Sequence, residues 1–130
     1  MEYTYIKPNE LRGSWEYIKK GLSKILKKSP EQWIPEDIYA DCVSGHSHVV
    51  LFTEKDRALG FCVLQKRNRD LHIWCAYGEV SGYLHKAFNA IKTIAKESEL
   101  DKITFETWRN GWERKAKLLG FKPRTYYMEI

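Results

Sequence analysis

A glycine-containing stretch, residues 77–82, joins a predicted strand to a predicted helix and could bind an anion. It contains Gly78, Ser81 and Gly82, and a helix N-terminus that follows such residues presents free backbone N–H groups to a phosphate. A tight turn into a helix also favours Gly or Ser for conformational reasons alone. Glu79 adds a negative charge where a phosphate would lie. The stretch therefore supports two interpretations, an anion-binding loop or a plain structural turn.

Two carboxylates and a few hydroxyl or thiol groups could transfer protons near this stretch. Glu79 and Glu106 are candidates for a general base, because a carboxylate tuned by burial can act near neutral pH. Glu106 shares a strand face with Thr104, so it could equally face solvent. Tyr126 and Tyr127, or Cys75, could approach as proton donors, although side chains in such strands more often pack in the core or at a sheet edge.

The histidines and cysteines show no metal-ligand pattern. His46 and His48 share a strand face, but no third ligand is indicated, and no two cysteines have metal-binding spacing. Each of the three cysteines lies in an apolar run, which is typical of buried thiols in a reducing compartment. His72 could face a cleft beside Trp74. We expect no bound metal.

The apolar pattern predicts alternating strands and helices along the whole chain. Residues 3–7 alternate as a strand, Asn9 offers a helix N-cap, and from Ser14 the apolar residues recur at the steps of an amphipathic helix. A second helix begins at Pro35, which suits a first helical turn, and stops at Gly45. Three strands on polar turns follow and indicate an antiparallel meander. They cover residues 48–52, 58–65 and 71–77.

The second half of the chain completes an α/β pattern. It predicts a helix at 81–98, a strand at 102–107, a helix at 111–119 that Gly120 caps, and a strand at 125–130. The order is β-α-α-β-β-β-α-β-α-β, in which a strand, a helix and a further strand form a crossover unit. We therefore predict a mixed sheet with helices on its faces, formed as a single domain by residues 1–130.

Composition and charge argue against several classes of protein. The net charge is +5, and Lys and Arg concentrate near both ends of the chain, where they could attract an anionic ligand or simply aid solubility. No helix-turn-helix, zinc-finger or RNA-binding motif indicates nucleic acid. The apolar runs are too short to cross a membrane, and the N-terminus lacks a secretory pattern. We expect a cytoplasmic protein.

Several local motifs are shared with one known family. They are Trp33 to Tyr39 (WIPEDIY), Ser44-Gly45, Gly60 to Val63 (GFCV), Arg109 to Arg114 (RNGWER) and Leu119 to Phe121 (LGF). With the order of elements, they resemble the acyl-CoA N-acyltransferases of the GNAT superfamily along essentially the whole chain. They are similar in particular to a short GNAT-like variety encoded by tailed bacteriophages. The segment RNGWER, with the Gly-Phe pair after it, is the most specific part of this resemblance.

The resemblance implies where an acyl-CoA would bind. In that family two neighbouring strands, here Leu71–Tyr77 and Lys102–Thr107, splay apart and hold the pantetheine arm of acetyl-CoA or CoA. The pyrophosphate lies at the N-terminus of the helix between those strands. The residues implied for cofactor binding are Cys75, Ala76, Tyr77, Gly78, Ser81, Gly82, Trp108 and Asn110. The other substrate would be an unidentified amine.

Two positions depart from the family pattern and leave two functions open. The family's phosphate loop carries a basic or Gln residue three positions before a glycine, and residues 77–82 contain none. Many members have a tyrosine four residues before the Gly-Phe pair to protonate the thiolate, and that position is Ala116 here. One function is an acetyl-CoA-dependent N-acetyltransferase. The alternative is a catalytically degenerate phage protein that serves in the virion or its assembly, or binds a host protein in the host cytoplasm.

Overall fold

The computed structural model describes residues 1–79, 82–107, 112–123 and 128–130. In these ranges the strands are β1 (Glu2–Ile6), β2 (Ser47–Glu54), β3 (Arg57–Arg67), β4 (Asp70–Gly78) and β5 (Lys102–Phe105). The helices are α1 (Leu11–Lys28), α2 (Pro35–Val43), α3 (Leu84–Glu97) and α4 (Trp112–Leu118), with a 3-10 turn at Pro8–Glu10 before α1. The predicted order is confirmed as far as α4. The described part of the predicted last strand, residues 128–130, is not in a strand.

The strands form a five-stranded mixed sheet in the order β1-β2-β3-β4-β5. Neighbours from β1 to β4 are antiparallel, and β4 pairs with β5 in parallel through the α3 crossover. Lys55 and Asp56 form the β2–β3 turn with φ of 50° and 62°, as a two-residue hairpin that follows the strand twist requires. The predicted antiparallel meander is therefore confirmed.

The helices cover both faces of this sheet. Phe61 and Val63 of β3 pack with α1 and α2, whereas Cys62 and Leu64 pack with α3, because successive strand residues point to opposite faces. We call these sides the α1 face and the α3 face. Of the helices in the described ranges, none is long and apolar enough to cross a bilayer.

Packing against the sheet moves two helix boundaries from their predicted positions. α1 begins at Leu11, which is almost fully buried, so burial extends the helix beyond the predicted start at Ser14. Its N-cap is Glu10, and the proposed cap Asn9 lies in the 3-10 turn. α3 begins at Leu84, because Gly82 has a φ of 88° and cannot belong to the helix.

Candidate functional site

β4 and β5 are paired over only four residues and then separate. The parallel register ends at Ile73 and Phe105, yet β4 continues to Gly78. Trp74 is an extra residue relative to β3, because Val63 of β3 pairs with Cys75 and the next residue, Leu64, pairs with Ile73. Such a bulge commonly ends strand pairing. Across the described ranges, no strand pairs with the edge of β4 beyond this bulge, and we call the space beside that edge the gap.

The ladder between β3 and β4 determines which peptide groups face this gap. The N–H of Glu79 donates to the carbonyl of Leu59 at 3.0 Å, and antiparallel bonding alternates along the strands. The N–H and C=O groups of Gly78 therefore point away from β3, and so do those of Ala76, two residues earlier. The Ala76 peptide groups are directed into the gap, and the Ala76 side chain is exposed.

An aromatic cluster holds the end of β5 against α3 and α4. The ring of Phe105 lies edge-on to Phe121 at a centroid distance of 4.8 Å and to Trp112 at 5.7 Å. Phe121 also contacts Phe88 of α3 at 5.4 Å. Each such pair contributes beyond the area it buries. The cluster therefore fixes the position of the end of β5 relative to both helices.

Tyr83 fixes the N-terminus of α3 beside the end of β4. Its hydroxyl donates to the carbonyl oxygen of Tyr77 at 2.9 Å. Its ring lies against Gly60 and Gly78, where any Cβ would collide with it, so Gly78 serves close approach rather than a turn. Gly82, with its positive φ, makes the turn into the helix. No side chain in the described ranges caps this N-terminus, which is the place where an anion would bind.

A row of three polar side chains joins α1 to the end of β4 on the α1 face. Lys24 Nζ donates to the hydroxyl of Tyr77 at 3.2 Å, and that hydroxyl donates to Oε1 of Glu79 at 3.1 Å. Lys24 Nζ lies 5.7 Å from the centroid of the Tyr77 ring, at the hydroxyl end of that ring. We call this group the Lys24–Tyr77–Glu79 row. It provides a path by which an amine proton can reach a carboxylate through one hydroxyl.

Gly21 lets α1 approach the sheet closely enough to form this row. A Cβ at Gly21 would collide with the rings of Phe61 and Tyr77. Tyr17, one turn earlier, is edge-on to both rings, and its hydroxyl is buried without a hydrogen-bond partner in the described part of the chain. The pKa of Tyr17 is raised to about 12, mainly by burial and further by the nearby Glu79 and Tyr77. The Tyr17 hydroxyl therefore keeps its proton at neutral pH.

His72 is buried rather than directed into a cleft. Its side chain is 5% exposed, and Nδ1 lies 2.8 Å from Thr104 Oγ1, across the paired part of β4 and β5. Burial lowers the pKa of His72 and the charge of Arg67 lowers it further, while the exposed Glu106 raises it. The prediction that His72 faces the cleft is wrong. Its neutral ring instead joins the two strands where they are still paired.

The predicted cofactor residues divide into three groups. The part of β4 beyond the bulge, which we call the free segment, contains Ala76, Tyr77 and Gly78. Gly82 precedes α3. The side chain of Cys75 is buried on the α1 face, where burial raises the pKa of its thiol, and Cys75 pairs with Val63 of β3. The predictions for Ser81, Trp108, Asn110, Tyr126 and Tyr127 fall outside the described residues.

Sequence reasoning missed Lys24 and Tyr83 as contributors to the site, and Tyr17 as a residue that packs beside it. Lys24 and Tyr77 are 53 positions apart, so no local spacing connects them. The available signal was Gly21, since a glycine inside an amphipathic helix often marks a close approach of backbone to a neighbour. Tyr17 and Lys24 share its helix face.

A Ser-His-Asp group also comes together at the end of α2, but it is not a catalytic triad. Ser44 Oγ lies 2.9 Å, and Asp41 Oδ1 4.0 Å, from the same ring nitrogen of His46, Nδ1. A triad requires the two ring nitrogens to face different partners. Ser47 also donates to Asp41, so the cluster fixes α2 to the start of β2. Within the described residues, no three or more His, Cys, Asp or Glu side chains are grouped to hold a metal.

Comparison with known proteins shows the fold. No protein-family model matches the sequence, and a search of curated proteins gives no match. A mutant BH1408 protein from Bacillus halodurans superposes with a TM-score of 0.77 at 13% identity, covering 100% of this chain and 98% of that chain. The ribosomal-protein-alanine N-acetyltransferase from Brucella melitensis biovar Abortus 2308 gives 0.72 at 8% identity, covering 100% of both chains.

A third similar structure comes from a different kind of acetyltransferase. The aminoglycoside acetyltransferase meta-AAC0020 from an uncultured soil metagenomic sample, in complex with sisomicin, gives a TM-score of 0.65 at 8% identity, covering 99% of this chain and 95% of that chain. At such identities the likeness concerns the fold. The chain therefore has the mixed α/β fold of GNAT-like acetyltransferases, as its motifs and order of elements predicted.

Proposed function

We propose that this protein is an N-acyltransferase that moves an acyl group, acetyl in the simplest case, from acyl-CoA to an amine. The observation that carries the proposal is the free edge of β4, where Ala76 directs an N–H and a C=O into the gap. The pantetheine arm of CoA contains two amides, so it can bind such an edge as an added strand would. Similarity to structures described as acetyltransferases supports the same reaction class.

We place the CoA pyrophosphate at the N-terminus of α3. Tyr83 holds this helix end beside the free segment of β4, and the helix dipole there favours an anion. Lys86 is exposed in the first turn of α3 and supplies a positive charge that residues 77–82 lack. The carboxylate of Glu79 accepts a hydrogen bond from the Tyr77 hydroxyl on the α1 face, so its negative charge is held away from the proposed pyrophosphate position.

The acceptor amine would approach from the α1 face, where Tyr77 and Glu79 can take its proton. The amine nitrogen attacks the thioester carbon, the new C–N bond forms, and the C–S bond breaks to release the CoA thiolate. Backbone N–H groups of the free segment of β4 would polarise the thioester carbonyl. Because Ala116 has no hydroxyl, the departing thiolate would take its proton from water.

The binding step can be tested at Ala76. Ala76→Pro removes the N–H that faces the gap without removing a bond to β3, a position at which strands tolerate proline. Loss of one hydrogen bond costs about 1.4 kcal/mol of binding free energy, so acetyl-CoA should bind about tenfold more weakly in calorimetry. Ala76→Ser keeps the N–H and should bind like the unaltered protein. Equal affinities for both variants would contradict the proposed use of this edge.

The phosphate position can be tested by a pair of lysines on α3. Lys86→Gln should weaken binding of CoA, and the difference should shrink as salt screens the charge. Lys92 is also exposed but lies further along the helix, so Lys92→Gln is the matched control and should leave affinity unchanged. If the two variants bind CoA equally well, the pyrophosphate does not lie at the start of α3.

The alternative function is a catalytically degenerate protein of this fold that binds a protein partner, from a phage or its host. Two features favour it: Ala116 stands where a general acid would be, and residues 77–82 carry no basic side chain. A thermal-shift titration decides between the two functions, because a ligand that binds only the folded state raises its melting temperature. Stabilisation at micromolar acetyl-CoA supports the enzyme. A flat titration to millimolar concentration refutes it.

A further inference from the structure

We infer that the protein acylates its own Lys24, an inference that rests on the proposed N-acyltransferase function. The Lys24–Tyr77–Glu79 row already places an aliphatic amine where an acceptor amine has to lie for its proton to reach Glu79. Lys24 is also exposed, so its nitrogen is accessible to an acyl thioester bound at the adjacent gap. The product is an amide on Nζ of Lys24.

The position of Lys24 follows from the packing of α1. Tyr17, Gly21 and Lys24 lie at successive turns on one side of the helix, and the absence of a side chain at Gly21 brings that side against Phe61 and Tyr77. Lys24 therefore extends over the end of β4, next to the free segment that we propose to bind pantetheine. No rearrangement of α1 is needed to bring the amine to this end of the sheet.

The other lysines of α1 provide an internal comparison. Lys19 is ion-paired with Glu36 of α2 at 3.6 Å. Lys20, Lys27 and Lys28 are exposed on the same helix as Lys24. Uncatalysed acylation by a thioester acts on exposed lysines in general, so these residues report the background rate. A specific reaction must favour Lys24 over them.

The proposed reaction balances with an acyl-CoA as the only co-reactant. The Lys24 ammonium passes one proton to the oxygen of Tyr77 as the Tyr77 hydroxyl passes its own to Glu79. The neutral nitrogen attacks the thioester carbon, the C–N bond forms, and the C–S bond breaks. The thiolate leaves with the bonding pair and is protonated to the free thiol, and the amide nitrogen loses its second proton to water. The sum is an ammonium and a thioester giving an amide, a thiol and one released proton.

Incubation of the full chain with acetyl-CoA, followed by peptide mass spectrometry, tests this inference. We expect Lys24 to be acetylated about 100-fold faster than Lys27 and Lys28, the lower end of what a positioned general base contributes. The rate per molecule should not depend on protein concentration, because donor and acceptor lie in one chain. In urea, which unfolds the site, the preference for Lys24 should disappear.

Matched variants separate the proton path from simple exposure. Tyr77→Phe keeps the ring but removes the bridging hydroxyl, and it should reduce Lys24 acetylation to the level of Lys27. Tyr17→Phe removes a neighbouring hydroxyl outside the row and should leave the preference unchanged. Both variants should retain the acetyl-CoA thermal shift, which shows that they fold and bind.

The outcomes distinguish this inference from the function on which it rests. If acetyl-CoA stabilises the protein but Lys24 reacts no faster than Lys27, self-acylation is refuted and the N-acyltransferase proposal stands. A rate that rises in proportion to protein concentration refutes reaction within one chain. If acetyl-CoA does not bind at all, both the function and the inference fail together.

Discussion

The two glycines of α1 allow a direct measurement of how closely this helix approaches the sheet. Gly13 is exposed and has nothing within 4 Å of where a Cβ would lie, whereas a Cβ at Gly21 would collide with Phe61 and Tyr77. Alanine in place of glycine inside a helix stabilises by about 0.5–1 kcal/mol. Gly13→Ala should therefore stabilise the protein by up to that amount.

At Gly21 the same gain is opposed by overpacking. Forcing a methyl group into a well-packed site costs about 1–3 kcal/mol, so Gly21→Ala should be destabilising by about 0–2.5 kcal/mol. The difference in unfolding free energy between the two variants isolates the overpacking cost, because the helix-propensity contribution is similar in both. That difference should be about 1–3 kcal/mol, with Gly21→Ala the less stable.

Urea unfolding followed by tryptophan fluorescence and circular dichroism measures this difference. With a slope of about 2 kcal/mol per M, the midpoints of the two variants should differ by about 0.5–1.5 M at unchanged slope. A clear result against the prediction would be equal stabilisation by both substitutions. α1 would then not rest on Phe61 and Tyr77, and the Lys24–Tyr77–Glu79 row would lose its structural basis.

Three further predictions concern other parts of the fold. Tyr83→Phe removes the hydrogen bond to the Tyr77 carbonyl and should cost about 0.5–1.5 kcal/mol of unfolding free energy, measured in urea. Burial lowers the pKa of His72 in the folded protein below the ordinary value of 6.5. As the pH falls below 6.5, the unfolded chain therefore binds a proton at His72 before the folded protein does, and the free energy of unfolding decreases. His72→Gln should therefore flatten the profile of unfolding free energy against pH below about pH 6.5. The cysteines are buried and burial raises the pKa of Cys42 to about 12, so a thiol reagent should react slowly until the chain is unfolded.

The fold could be predicted because each element carries its own local signal. The apolar stripe of α1, the apolar runs of β2 and β3 and the glycine after α4 all appear within a few residues of sequence. The errors fall where packing overrides local preference. Burial of Leu11 lengthens α1 at its start, and the positive φ of Gly82 shortens α3.

The site could be predicted only in part because its geometry depends on long-range contacts. The predicted strand at 71–77 located Ala76 and Tyr77 at the end of β4, but the bulge at Trp74 interrupts the alternation of side chains and so changes which residues share a face. The same alternation led to the wrong orientation for His72, whose burial depends on pairing with Thr104 of a distant strand. The partnership of Lys24 with Tyr77 requires the packing of α1 on the sheet, which no short motif encodes.

The free edge of β4 consists of peptide groups, and peptide groups are the same whatever side chains they carry. A surface of this kind can be retained while nearly every residue around it is replaced, provided that the bulge and the short β4–β5 pairing persist. The chain shares its fold with structures described as acetyltransferases at 8–19% identity, although no family model matches its sequence. Searches for distant relatives should therefore weigh the parted strands above any residue signature.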